Sequence, residues 1–241
     1  MAPIIKAPVY TSPVILAIEN TGICGSVALV SSSQCIGEHS LQTRLTHSKR
    51  LLSSISYLME EAQLDWKQLD AIAISLGPGS FTGLRIGLST VKGLSLAGSI
   101  PLIGVPTLEA MAYPFSYATH QICSIIDARK KEVYTALFRP DAHGSLHRLS
   151  EDMVISPEEL ARKITTPTLL IGDGAALYSD LFNNLLGPNA IFPSPHLSFP
   201  RAVHIGFHAI PLWERKEFLD PSSAAPIYIR PSDAETHANK S

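Results

Sequence analysis

The stretch ISLGPGSFTGLRIGLSTVKGLSLA, residues 74–97, runs an apolar strand through a Gly-Pro-Gly turn into a helix carrying glycine where helices favour alanine. Each interior glycine costs about 1 kcal/mol relative to alanine, so Gly83, Gly87 and Gly93 need an offsetting reason. Two reasons stand open on the residues alone. Gly77, Gly79 and Ser80, at the helix start, let backbone amides approach an anion and form a weak nucleotide or anion site. Alternatively, the four-residue spacing of Gly79, Gly83 and Gly87 lets a second helix pack backbone to backbone. A P-loop is excluded, because Leu84 and Arg85 follow Gly83 where lysine and a hydroxyl residue are required. Ser75, Ser80 or Thr82 is placed to cap the helix.

Working outward, VILAI, the turn ENTGICG and SVALV read as a hairpin, followed by a short strand QCIGEHS. Residues 47–62 predict a helix, with Leu51, Ile55, Leu58 and Ala62 on one stripe and Leu52 and Met59 widening it. AIAISL, the glycine-bearing helix and LIGV complete the half. Strand, strand, strand, helix, strand and helix then recur: ICSIID, the turn ARKK, EVYTALF, a strand near 146–150, a helix over 157–164, TLLIG and a helix over 175–186. This order fits an α/β fold of the actin-like ATPase type, two lobes each a mixed sheet with helices. The expected divisions are an extension over 1–13, lobes over 14–110 and 111–231, and a disordered tail over 232–241. APIYIR, just before the tail, is expected to dock on the body.

The 241 residues are 45% hydrophobic and 17% charged, with a formal net charge of -2. These values describe an ordinary soluble protein without the basic excess of a stand-alone nucleic-acid binder. Cys24, Cys35 and Cys123 are odd in number and lack metal-site spacing, which points to buried free thiols in a reducing compartment. The start, MAPIIKAPVYTSP, is broken by prolines and does not read as a signal peptide, and no run reaches membrane-span length. The expected location is cytoplasmic.

Other candidate sites have plainer readings beside them. Glu19, Asn20, Thr21 and Gly22 form either a phosphate-facing turn or a bare hairpin turn. Gly172 and Gly174, in IGDGA, resemble a glycine-rich adenosine turn or an ordinary strand-to-helix turn. His204 with His208, and His143 with His147, have the four-residue spacing of a zinc pair, but no third ligand is evident and HIGFH lacks a glutamate base. Asp127, with Lys130, Lys131 and Glu132, is either a catalytic carboxylate or part of a solvated turn. No Gly-x-Ser-x-Gly elbow is present.

LDAIAISLGPGSFTGLRIGLSTVKGLSLA, HSKRLLSSISYLMEEA, IIDARKKEVYTALF, LIGDGA and APIYIRP together resemble the TsaB (YeaZ) family of tRNA threonylcarbamoyladenosine biosynthesis proteins. The resemblance implies an actin-like fold without catalysis of its own. It also implies pairing with TsaD, which transfers threonylcarbamoyl from its adenylate to the adenosine beside the anticodon, with TsaE joining. tRNA would be met through TsaD. ATP or ADP and a metal would sit on the partner subunits, with no cofactor and no metal on this chain. The His-x-x-x-His metal motif of TsaD aligns with Thr107 and Met111 here, and neither can replace imidazole. The implied partner interface comprises Leu51, Leu52, Ile55, Met59, Thr82, Gly83, Ile86, Gly87 and Thr90, and the same surface would serve a homodimer when the partner is absent. The chain departs from the family's Ile-Asp-Thr at the first turn, where it has Ile18, Glu19 and Asn20. An active kinase or a glycoprotease-type metallopeptidase of the same superfamily is the alternative.

Overall fold

A computed structural model describes residues 10, 13–22, 24–42 and 47–230. The extension over 1–13 falls almost wholly, and the tail over 232–241 wholly, outside the described residues. The chain forms β1 (Ile15–Glu19), β2 (Cys24–Ser31), β3 (Gln34–Gln42), α1 (His47–Glu61), β4 (Ala71–Gly77), α2 (Phe81–Gly98) and β5 (Leu102–Pro106). It continues as α3 (Thr107–Ala112), β6 (Gln121–Arg129), β7 (Glu132–Pro140), β8 (Leu146–Arg148), β9 (Met153–Ile155), α4 (Pro157–Lys163) and β10 (Thr168–Ile171). α5 (Asp173–Leu177), α6 (Ser179–Leu186), β11 (Ala190–Ile191) and α7 (Ala202–Glu214) follow.

The first sheet has the order β3-β2-β1-β4-β5, with β1 antiparallel to β2 and parallel to β4. The second has the order β11-β10-β6-β7-β8, with β9 also on β7; β6 is antiparallel to β7 and parallel to β10. The two orders match strand for strand, so the duplication read from element order is a duplication of topology.

Cross-strand register assigns the faces of the first sheet. Ile18, Val27 and Ile74 share one side with Gly37 and His39, and α1 and α2 cover it: Leu58 packs at Gly37, and Ile74 lies under Gly87. Ala17, Ala28 and Ala73 share the other side, where α7 packs. With both faces covered, β1 is buried throughout, and its residues Ile15–Ile18 are continuously apolar rather than alternating. Small residues on the α7 side let that helix come close: a Cβ on Gly206 would lie 2.6 Å from Val30 and 3.2 Å from Ala17. In the second sheet, Cys123, Ile125, Val133 and Leu137 face α4, α5 and α6, while Ile122, Ile126, Tyr134 and Phe138 face α3.

The chain divides into two compact units, but not at one point. The first runs through Ser75 and takes in Arg85–Val105 and Arg201–Ala225; the second holds Leu76–Leu84, Pro106–Pro200 and the chain from Pro226. α7 therefore belongs with the first sheet, although it follows every strand of the second. The helix expected over 175–186 is two, parted at Tyr178, whose φ of -107° and ψ of 22° leave the helical region. α3, α7, β9 and β11 are additions to the sequence reading. α7 escapes amphipathic reading because apolar residues, His204, His208 and Pro211 are spread round it.

The glycine question now separates by residue. Gly87 is buried, with Ile74 and Asn20 where a side chain would go, whereas Gly93 has open space around it. Gly93→Ala is expected to raise the stability of the isolated chain by about 0.5–1 kcal/mol. Gly206→Leu is expected to lower it by about 1–3 kcal/mol through overpacking. Urea unfolding of both variants checks the pair; a destabilised Gly93→Ala would mean that the helix needs glycine there for its own packing.

Candidate functional site

The turn between β4 and α2 is held from three directions. Gly77 takes φ +112°, and a Cβ there would meet Ile227 O at 2.9 Å. The Ile227 amide donates to Leu76 O at 2.8 Å, so APIYIR does dock, beside this turn. The Gly77 amide donates to Thr107 Oγ1 at 3.1 Å, and Thr107 is fully buried at the start of α3. The Gly83 amide donates to Ser80 Oγ at 3.3 Å, which makes Ser80 the capping residue among the three candidates. Phe81, the first residue of α2, stacks on Tyr228 with ring centroids 4.9 Å apart. Two amides an anion would use, those of Gly77 and Gly83, are thus engaged within the chain.

On α3, Met111 is buried four residues after Thr107, and its Cε lies where a Cβ on Gly172 would go. Gly172 takes φ +113°, and a side chain there would overlap the Ile125 carbonyl, so β6 demands a glycine at this position without any ligand. Gly174 is likewise pressed against Ile125 and the Asp127 amide. Asp173, between them, accepts from the Asp127 amide at 3.0 Å, and burial holds its carboxyl above the usual range.

At the first hairpin, Glu19 is fully buried and its Oε1 accepts from both the amide and the hydroxyl of Thr21. Burial pushes its carboxyl above the ordinary glutamate value, while the hydrogen bonds from Thr21 and Ser75 pull the other way.

The helix residues expected at a partner surface divide sharply. Leu51, Ile55, Met59, Gly83 and Gly87 are buried within the chain, which corrects their assignment to an external interface. Leu52 is 50% exposed and Thr82 is exposed, while Ile86 and Thr90 are half-buried, the Thr90 hydroxyl donating to Ile86 O at 2.8 Å. Tyr57 on α1, 54% exposed, was missed because it lies off the apolar stripe. On α2 the exposed residues Thr82, Arg85, Ser89, Gly93 and Leu96 fall at helical spacing along one stripe.

The other candidates resolve into structural roles. His204 and His208 are half-buried on α7, and burial with nearby Arg201 drives His204 down to about 4. His147 Nε2 meets Asp141 Oδ2 at 3.2 Å on an exposed hairpin, and the His143 amide donates to Asp141 Oδ1. No group of three or more metal-ligating side chains occurs among the described residues. Asp127 pairs with Arg129 at 2.9 Å. Cys123 is buried, its thiol pushed up to about 12, but Cys24 is half-buried and Cys35 exposed, so the three are not alike. A shallow groove of about 320 Å³, lined by Leu96, Ile100, Phe218 and Pro221 among others, holds no titratable side chain. No helix among the described residues is long and apolar enough to cross a membrane.

Comparison with known proteins adds a family. Residues 40–208 match the family model described as TsaD, tRNA N6-adenosine threonylcarbamoyltransferase. The tRNA threonylcarbamoyladenosine biosynthesis protein TsaB of Escherichia coli (strain K12) is 33% identical over 222 residues, covering 90% of this chain and 94% of its own. The protein of the same name from Bacillus subtilis (strain 168) is 28% identical over 92% of this chain and 96% of its own. The structure of YeaZ from Pseudomonas aeruginosa superposes with a TM-score of 0.77 at 27% identity, covering 90% of this chain and all of that one. An activator of 2-hydroxyisocaproyl-CoA dehydratase from Clostridium difficile shares the fold at 8% identity, with a TM-score of 0.53 over 89% of this chain and 99% of its own. The fold is the actin-like ATPase fold.

The buried acid sets a pH dependence. A folded-state carboxyl raised above its ordinary 4.5 contributes its stability in full below that pH and loses it as pH rises toward the folded value. Glu19→Gln, neutral throughout, is expected to gain stability relative to wild type as pH rises from about 4 to 8. Denaturant midpoints across that range test this; parallel curves would mean that Glu19 titrates alike in both states.

Proposed function

Because the chain belongs to the TsaB family of tRNA threonylcarbamoyladenosine biosynthesis proteins, we propose that it is a noncatalytic subunit that pairs with and activates a TsaD-type transferase. TsaD would carry the chemistry, moving threonylcarbamoyl from its adenylate to the adenosine beside the anticodon, and TsaE would join the assembly. The observation that carries the noncatalytic part is the use made of Thr107 and Met111. By the family resemblance, these positions stand where the two metal-binding histidines of TsaD would fall. Here one accepts the Gly77 amide and the other fills the core at Gly172, so both are spent on holding the fold.

The exposed stripe of α2, with Leu52 and Tyr57 of α1, supports the partner reading. Leu96 is 65% exposed and Gly93 leaves room for a backbone to approach, a combination that favours a packed helical partner over solvent. The core residues beneath keep both helices in place.

Leu52→Arg and Ser89→Arg are expected to weaken capture of the cognate TsaD at least tenfold while leaving the melting temperature of the isolated chain unchanged. Such losses are typical of charges placed in an interface centre. Equal capture by wild type and both variants would remove this surface from the proposal. Formation of the modified nucleoside by this chain alone, or ATP turnover by it, would favour the superfamily enzyme reading instead.

A further inference from the structure

The hairpin between β6 and β7 is built at a cost. Arg129 pairs with Glu132 in register, leaving Lys130 and Lys131 as a two-residue loop. Both have positive φ, 54° and 61°, as a type I′ turn requires, and Arg129 before them has φ 62°. Asn-Gly meets that requirement cheaply, whereas this chain places three consecutive cationic L-residues in the left-handed region. Backbone of this kind persists only where its surroundings over-determine it, and such outliers cluster at functional positions.

The surroundings do over-determine it. Asp127 Oδ1 accepts the Arg129 amide at 2.9 Å, and Oδ2 pairs with the Arg129 guanidinium. The Asp127 amide is tied in turn to Asp173. Arg230 donates to the Ala128 carbonyl and pairs with Glu132. Arg129 pairs with Asp127 and Arg230 with Glu132, Asp173 stands as a third carboxylate behind the turn, and the two lysines are exposed at its braced tip.

We propose that the Lys130–Lys131 turn is a contact for RNA phosphates, through which this chain touches the transfer RNA directly rather than only by way of its partner. The identity of the RNA rests on the function proposed above; the phosphate chemistry rests on the turn. A lysine ammonium is a compact point charge that holds a phosphate without reading a base, which suits a contact that positions rather than specifies. With a net charge of -2 over the whole chain, attraction to RNA depends on such a local concentration.

The test uses the full chain, alone at low salt and combined with the cognate TsaD, against fluorescently labelled cognate tRNA titrated over a salt series. Two double variants are compared: Lys130→Asn with Lys131→Gly, which suits the turn and removes the charge, and Lys130→Arg with Lys131→Arg, which keeps it. The first is expected to melt a few degrees higher yet bind tRNA several-fold more weakly. Its plot of log affinity against log salt should flatten by about 0.7–0.9 per lysine. The second is expected to retain wild-type binding. Unchanged affinity and slope in the Asn-Gly variant, or no tRNA binding by wild type in either format, would overturn the proposal. Capture of TsaD without RNA, run alongside, reports on the subunit reading separately.

Discussion

The hydrogen bond from the Gly77 amide to the buried Thr107 hydroxyl is the contact around which the turn between β4 and α2 is arranged. Gly77 ends β4 at a φ closed to other residues, and its amide would be orphaned if the turn lacked an acceptor. Thr107 supplies one from the first residue of α3, and Met111, one turn on, settles against Gly172. Ile227 closes the turn from the opposite direction through Leu76. A strand end, a helix start, a glycine turn and the C-terminal segment are thereby fixed by one buried hydroxyl and its neighbours. The segment Leu76–Leu84 belongs to the second unit while the rest of β4 and α2 belongs to the first, so this is also where the chain first passes between them.

What the sequence made legible was local. Continuous apolar strands, the glycine-bearing helix and the repeated order of elements all came from short windows, and the matching strand orders followed. What stayed hidden depends on distant residues. α7 has apolar residues round its circumference, and its first amides are capped from other elements: Ala202 by Ser26 Oγ at 2.8 Å and Val203 by Glu38 Oε1 at 3.2 Å. No window around residue 202 contains Ser26 or Glu38. Tyr178 parts α5 from α6 through backbone angles that no residue type announces.

The candidate site was legible in the same uneven way. The helices α1 and α2 were the right elements for a surface, yet an apolar stripe on a helix of a two-faced sheet marks the side toward its own core. The stripe made Leu51, Ile55 and Met59 readable as important, but how they divide between the chain's own core and an outer surface is set by packing, and all three face the core. Leu52 and Tyr57, off the stripe, are the exposed ones. Likewise the glycine turns looked like ligand cradles, but Gly172 and Gly174 make room for β6 and Gly77 for the Ile227 carbonyl. A close backbone neighbour leaves the same mark in sequence as a close phosphate.

The return of α7 to the first sheet bears on synthesis. Ala17 and Val30 wait for Gly206, a helix roughly 190 positions later that packs on that sheet. At ribosomal rates of about 5–20 residues per second, that side of the earliest strands goes without its covering helix for about 10–40 s. Beside Ile15 and Val30, its residues there are Ala17, Glu19, Ser26 and Ala28, small or polar enough to admit a close helix and to leave only part of the bare face strongly apolar. The same economy of side-chain volume that lets the finished molecule pack tightly limits what the unfinished one offers to stick to.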